Sequence, residues 1–240
     1  MTEPGFLAEV VEWFTDPVNW SGSFGVPART LEHLQITAAA MAIAAAIALP
    51  VGMYIGHRRR FEFLIVSVGN VGRALPSFGL LLLFVIAMGL GEAPIVLTMT
   101  LLAIPPILIN TYVGVQAVDP DALEAARGMG TTELGVLGRI ELPLAARVIL
   151  AGLRIATVQV IATATLAAVA GGGGLGRYIV DGFAGGDDAQ LFSGAVLVAA
   201  LALAIDGTFL LLQRLVTPRT TSSGAPAEVA EPVLVTTRGG

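Results

Sequence analysis

Apolar runs too long for a soluble core constrain this chain more than any other feature. Residues 36–55 are rich in Ala, Ile, Leu and Met, and similar blocks cover 61–88, 95–115, 148–169 and 193–213. A helix needs about 20 mostly apolar residues to cross the roughly 30 Å of bilayer hydrocarbon, and each block meets that length. As a helix, the block at 61–88 would be about 42 Å long, more than one crossing requires. It contains Asn70, Arg73 and Pro76. The Pro76 ring removes a backbone donor, so the block reads as one span broken near that residue. The expectation is an all-α polytopic membrane protein with about five transmembrane helices.

Composition agrees with this class. Of 240 residues, 55% are hydrophobic and 13% charged, about half the charged share of a soluble domain. The net charge is −5 and every cation is Arg, which offers no basic surface for nucleic acid. The absence of Cys excludes disulfides, thiolate metal sites and Cys nucleophiles. His33 and His57 are far apart and read as solvated loop or interface residues, not as metal ligands. No metal and no cofactor is expected in this chain.

Arg placement sets the orientation. With the amino terminus outside, Arg58, Arg59, Arg60, Arg127, Arg139, Arg147, Arg154, Arg214, Arg219 and Arg238 fall on the inner side, and only Arg29 and Arg177 outside. Such an excess belongs on the cytoplasmic side. Residues 1–34 are then an extracytoplasmic segment, with Trp13, Phe14 and Trp20 as interfacial anchors. They lack the positive stretch and early apolar core of a secretory signal. Residues 35–214 form the transmembrane domain. Residues 215–240, poor in aromatics and rich in Thr, Pro, Gly and Ser, read as a disordered cytoplasmic tail.

One inner loop, residues 119–143, differs from everything around it. Asp119, Asp121, Glu124, Arg127, Glu133, Arg139 and Glu141 are interleaved with Leu123, Ala126, Met129, Leu134, Leu137 and Ile140. That spacing makes an amphipathic helix lying in water, not a span. Asp119 can cap its start, with Pro120 at the first helical position. Gly130 can take the left-handed conformation that ends a helix, Thr131 can cap a second one, and Pro143 marks where that second helix stops or turns into the next span. Two short helices joined at Gly130 would present a rigid knob to another protein.

At these spacings, Glu124-Ala125-Ala126, Gly130, Ile140 and Leu142-Pro143 resemble the EAA signature of bacterial ABC-importer permease subunits. The resemblance covers about residues 30–214. It implies a type I ABC-importer permease fold in the bacterial plasma membrane, with 119–143 as the coupling element docked in a cleft of a separate ABC ATPase subunit. In that setting Glu124 and Arg127 would contact the ATPase, Gly130 would supply backbone shape and close approach, and Leu123, Ala126, Leu134 and Leu137 would fill the docking cleft or pack onto the permease itself. The other implied partners are a second permease subunit, an extracytoplasmic substrate-binding protein and the lipid bilayer. ATP would belong to the partner, so this chain is not expected to be an enzyme by itself. Ala74-Leu75-Pro76-Ser77, Asn110-Thr111-Tyr112, the run around Glu124 and Gly172-Gly173-Gly174-Leu175-Gly176 resemble the glycine betaine/carnitine/choline osmoprotectant branch. The alternative is the same machinery serving another small solute, such as methionine or a polar amino acid. A stand-alone channel would need a filter, and an intramembrane enzyme a nucleophile–base pair or a metal cluster; none is visible.

Gly171, Gly173 and Gly176 satisfy GxGxxG, but no strand precedes them and Arg177-Tyr178 stands where a phosphate loop has Lys and Ser or Thr. A flexible or tightly turned outer loop is the better reading. Polar groups within spans say more, because an ionised side chain at the bilayer centre costs about 2.5–3.5 kcal/mol on insertion scales. Arg73 should face the bundle interior, a water-filled path or a subunit interface. Arg154 and Asp206 are expected to pair across two helices, offsetting part of their desolvation. Ser77, Asn110, Tyr112, Gln159, Thr163 and Thr165 either hydrogen-bond between helices or line the pathway.

Overall fold

In a bilayer the backbone must satisfy its own polar groups, and helices do so within one segment. The computed structural model describes residues 5–74 and 76–216, without the side chains of Val66, Val71 and Arg73. It begins with α1 (Phe6–Thr15), a 3-10 turn (Pro17–Trp20), α2 (Val26–Arg58), α3 (Glu62–Ala74), α4 (Ser77–Met88) and α5 (Glu92–Gln116). Then come α6 (Pro120–Gly128), α7 (Glu133–Val136), a π turn (Leu137–Glu141), α8 (Leu142–Thr163), a 3-10 segment (Ala164–Ala170), α9 (Gly176–Gly185) and α10 (Asp188–Val216). Among the described residues there is no strand.

Four stretches are long and apolar enough to cross a membrane: Val26–Arg58, Glu92–Gln116, Glu133–Ala170 and Asp188–Val216. The fifth expected span is the pair α3 and α4, broken just before Pro76, which stands at the N-cap of α4. Gly69 lies against Ile109, Gly72 against Pro105, and Ser77 shares a cavity with Leu102. Contacts therefore descend α5 as they ascend α3 and α4. The two pieces together follow one antiparallel crossing.

The core lies among α2, α5 and α8. Ala40, Ala44 and Ala48 bury one face of α2 at four-residue intervals, against Ile95, Met99 and Ile107 of α5 and Ala156 and Val160 of α8. Small residues allow close packing where lipid supplies no hydrophobic drive. A methyl group at Gly52 would stand 2.8 Å from Thr111 Cβ, and one at Gly152 would stand 2.5 Å from Asn110 Cβ. The three backbones thus approach at positions where a side chain does not fit.

Several elements differ from expectation. The extracytoplasmic segment expected at 1–34 holds α1, and α2 begins at Val26, because both bury apolar residues that its acidic composition hides. Val10 and Trp13 are buried, with the Trp13 ring edge-on to Tyr178 at 5.2 Å and Phe6 edge-on to Phe192 at 5.4 Å. The glycine-rich stretch contains α9, despite its low helix propensity, since α9 packs on α10 through Tyr178, Ile179 and Val198. Helix α10 runs to Val216, past the expected start of the tail; the tail from 217 onward lies outside the described residues.

Candidate functional site

The 119–143 segment folds as a knob on the end of the bundle that carries His57. Asp119 Oδ1 accepts from the Asp121 N–H at 2.9 Å and Pro120 opens α6. Gly130 has φ +82°, a conformation that strains any residue with a Cβ. There the chain reverses, and the Thr131 N–H donates to Ala126 O at 3.1 Å. The cap of α7 is Thr132, not Thr131: its Oγ1 accepts from the Gly135 N–H at 3.3 Å. Thr131 is already spent closing the preceding turn.

Of the two outcomes expected at Pro143, a stop or a turn into the next span, the structure shows the second. The helical path continues from Glu133 to Ala170, and the π turn at Leu137–Glu141 lies just ahead of the proline. In a regular α-helix the Pro143 ring would press on the carbonyl four residues earlier, at Arg139. The wider π turn contains that carbonyl and relieves the clash.

The signature divides into two sets of residues. Leu123 and Ala126 are 3% and 2% exposed, and with Val118 and Val136 they form a small core against which Ile140 packs. Leu142 is half-buried at the start of α8. Glu124, Ala125, Arg127, Gly130 and Pro143 are exposed, as are Met129 at 81% and Leu134 at 82%. The apolar residues that the sequence could not apportion are thus separated: Leu123 and Ala126 hold the knob together, Leu134 points away from it, and Leu137 is half-buried. Arg127 makes a bidentate pair with Glu133 (2.9 and 3.1 Å), and that carboxylate raises the guanidinium pKa above its usual value.

Four residues that tie the knob to the bundle were not singled out for that role in the sequence. His57 Nδ1 stands 2.6 Å from Glu141 Oε2, and His57 Nε2 stands 3.1 Å from Glu133 Oε2. Arg59, at φ 51°, donates to Val118 O at 3.0 Å. Neither histidine is a solvated loop residue. The His57 side chain is 9% exposed, and His33 is 1% exposed with Nε2 3.0 Å from Ile161 O. The signal for His57 was its position at the end of an apolar block, facing a loop rich in carboxylates.

Four of the residues expected to hydrogen-bond between helices or line a path come together. Ser77, Asn110, Gln159 and Thr163 line a cavity of about 450 Å³ between α3, α4, α5 and α8, beside Pro105 and Pro106. Two of them spend part of their polarity on their own helices: Asn110 Nδ2 donates to Pro106 O and Thr163 Oγ1 to Gln159 O, each at 2.8 Å. Tyr112 is instead buried in the core, and Thr165 donates to Ala162 O. Arg154 Nε meets Asp206 Oδ1 at 2.6 Å across α8 and α10, away from the cavity. Arg73 belongs to α3 by its backbone, and its side chain lies outside the described residues. The glycine run is tightly turned: the Gly174 N–H donates to Glu32 Oε2 at 2.8 Å and Gly172 packs on Ile95. Among the described residues no group of His, Asp or Glu is arranged to hold a metal ion.

A family described as the binding-protein-dependent transport system inner membrane component matches residues 48–222. The chain belongs to this family. It is accordingly a transmembrane permease of the bacterial inner membrane, which agrees with its all-α polytopic fold. The permease is 36% identical over 190 residues to the choline transport system permease protein OpuBB of Bacillus subtilis (strain 168), covering 79% of this chain and 88% of that one. It is 35% identical to the glycine betaine/carnitine/choline transport system permease protein OpuCB of the same organism, over 80% and 88% of the two chains. To the osmoprotectant import permease protein OsmW of Salmonella typhimurium it is 33% identical, over 79% and 91%. Its fold resembles a chain from inward-facing structures of the MetNI methionine ABC transporter, with TM-score 0.71 and 21% identity, over 85% of the permease and 100% of that chain.

Proposed function

We propose that this permease imports quaternary-amine osmoprotectants of the choline, glycine betaine and carnitine type. It would do so with a like permease subunit, two ABC ATPase subunits and an extracytoplasmic binding protein. The observation that carries the reading is identity of 33–36% over most of both chains with permeases named for those solutes. The Arg distribution supports a cytoplasmic knob. The knob itself supports docking, since it presents Glu124, Arg127, Met129 and Leu134 outward on a frame closed by its own small core.

In this mechanism closure of the ATPases displaces the knob, α5 and α8 change angle, and the path opens to one side at a time. The 450 Å³ cavity is the segment of path held by this chain. Its polar lining residues Ser77, Asn110, Gln159 and Thr163 are neutral. A quaternary ammonium has no N–H to donate and a charge spread over methyl groups, so it can pass such a lining without being held at a single counter-ion. Selectivity then rests mainly on the binding protein.

Uptake of labelled choline, glycine betaine, carnitine and methionine by proteoliposomes holding the whole complex tests the substrate. Uptake of methionine alone would refute the osmoprotectant reading and leave the family intact. Met129→Ser with Leu134→Ser tests docking: ATPase-subunit retention should fall while the permease's own thermal stability changes by less than about 0.5 kcal/mol, as for exposed substitutions.

A further inference from the structure

The knob is joined covalently to α5 on one side and α8 on the other, while α2 reaches it through side chains alone. Gly52 and Gly56 press α2 onto Thr111 and Val115 of α5. His57 and Arg59, at the end of α2, extend the connection to the knob. Arg59 donates to Gln116 O and Val118 O, at the exit from α5. His57 reaches the other arm, where Glu133 opens α7 and Glu141 closes the π turn.

The two ring nitrogens of His57 point in different directions and each stands against a carboxylate oxygen, Glu141 at 2.6 Å and Glu133 at 3.1 Å, so one rigid ring bridges both. Glu141 is 1% exposed, and its ion-pair partner among the described residues is His57. Glu133 is also held by Arg127, so Arg127, Glu133, His57 and Glu141 make one chain from the face of α6 into the π turn. That turn is the soft point between knob and α8, because a single π turn interrupts the regular hydrogen-bond ladder.

We propose that His57 is a positioning residue for energy coupling: it locks the π turn to the end of α2, so that displacement of the knob is delivered to the packed unit of α2, α5 and α8. Without it the displacement is absorbed by flexing at residues 137–141. This rests on the reading of 119–143 as the ATPase-docking element.

The test is the ratio of solute imported to ATP hydrolysed, measured on the whole complex in proteoliposomes. His57→Ala should lower that ratio about fivefold or more, the size of an ordinary coupling between sites, with ATPase subunits retained and hydrolysis continuing. Because that variant strands a buried carboxylate, His57→Ala with Glu141→Gln is the companion that removes the orphaned charge, and it should be equally uncoupled. His57→Arg, whose guanidinium can donate to two carboxylates, should recover most of the ratio. A wild-type ratio in the double variant overturns the proposal, and so does a loss that His57→Arg fails to recover. If Met129→Ser with Leu134→Ser leaves ATPase retention and coupling unchanged, the docking reading falls and this proposal with it. If that variant weakens docking but the His57 variants stay coupled, the proposal alone falls.

Discussion

Removing one member of the Arg154–Asp206 pair should harm the protein nearly as much as removing both. Arg154 lies six residues into the apolar block 148–169, about 9 Å along α8, and Asp206 lies seven residues before the end of the block 193–213, about 10 Å along α10. Both depths fall within the roughly 30 Å of hydrocarbon, about a third of the way across. An unpaired charge at the bilayer centre costs about 2.5–3.5 kcal/mol on insertion scales. The side chains are 32% and 28% exposed, which leaves room to reorient and lowers the expected cost to about 2–3 kcal/mol. Arg154→Leu and Asp206→Leu should each destabilise by that amount, one stranding the acid and the other the base. The double variant strands neither, so it should be less destabilised than the sum by about 2 kcal/mol, a normal interaction energy for residues in contact. Unfolding in mixed micelles, titrated with SDS and followed by far-ultraviolet circular dichroism, reads each difference. A double variant whose loss equals the sum of the single losses would refute the pairing as a source of stability.

Three further substitutions probe the packing and the knob. Gly152→Leu places atoms where a Cβ already stands 2.5 Å from Asn110 Cβ and 2.9 Å from Pro106 O, so the same unfolding assay should show a loss of about 1–3 kcal/mol. Gly138→Leu, with open space around its Cβ, should show little change. Gly130→Ala meets no neighbour but must hold φ +82°, so its cost of about 1–2 kcal/mol is conformational. That change should appear as faster amide exchange in α6 and α7, with exchange in α5 and α8 unchanged.

Spans were legible where composition alone decides them: α2, α5, α8 and α10 lie under the apolar blocks, and Pro76 sits at the break between α3 and α4. The knob's entry was legible because Asp119, Pro120 and Gly130 each carry a local backbone preference that tertiary packing did not override. Its exit was legible only as two alternatives, a stop or a turn into the next span, because Pro143 breaks a regular helix and only the π turn ahead of it lets the path run on. Helix α1 was hidden because it is only ten residues long and Glu9 and Glu12 interrupt its apolar run, although Val10 and Trp13 sit three residues apart on its buried face. Helix α9 was hidden by three glycines in ten residues, a deficit that docking on α10 offsets. The polar cavity could be anticipated only residue by residue, since Ser77, Asn110 and Gln159 come from different helices and only the fold brings them together. Likewise the partners of His57 are 76 and 84 residues away in sequence, beyond the reach of any local pattern.

The glycine contacts at Gly52, Gly56 and Gly152 also bear on stiffness. At these points a glycine of one helix meets the Cβ and backbone of the next, so few rotatable side-chain atoms lie between them to shear. Helices α2, α5 and α8 therefore behave as a plate, in which tilting one member carries the others through nearly the same angle. Helices α3 and α4 rest on one side of that plate as two short leaves with a proline between them. Compliance in this half of the transporter is thus unevenly distributed: high resistance to bending across the plate, low resistance along its proline-hinged margin, with the polar cavity lying along the seam where the two regimes meet.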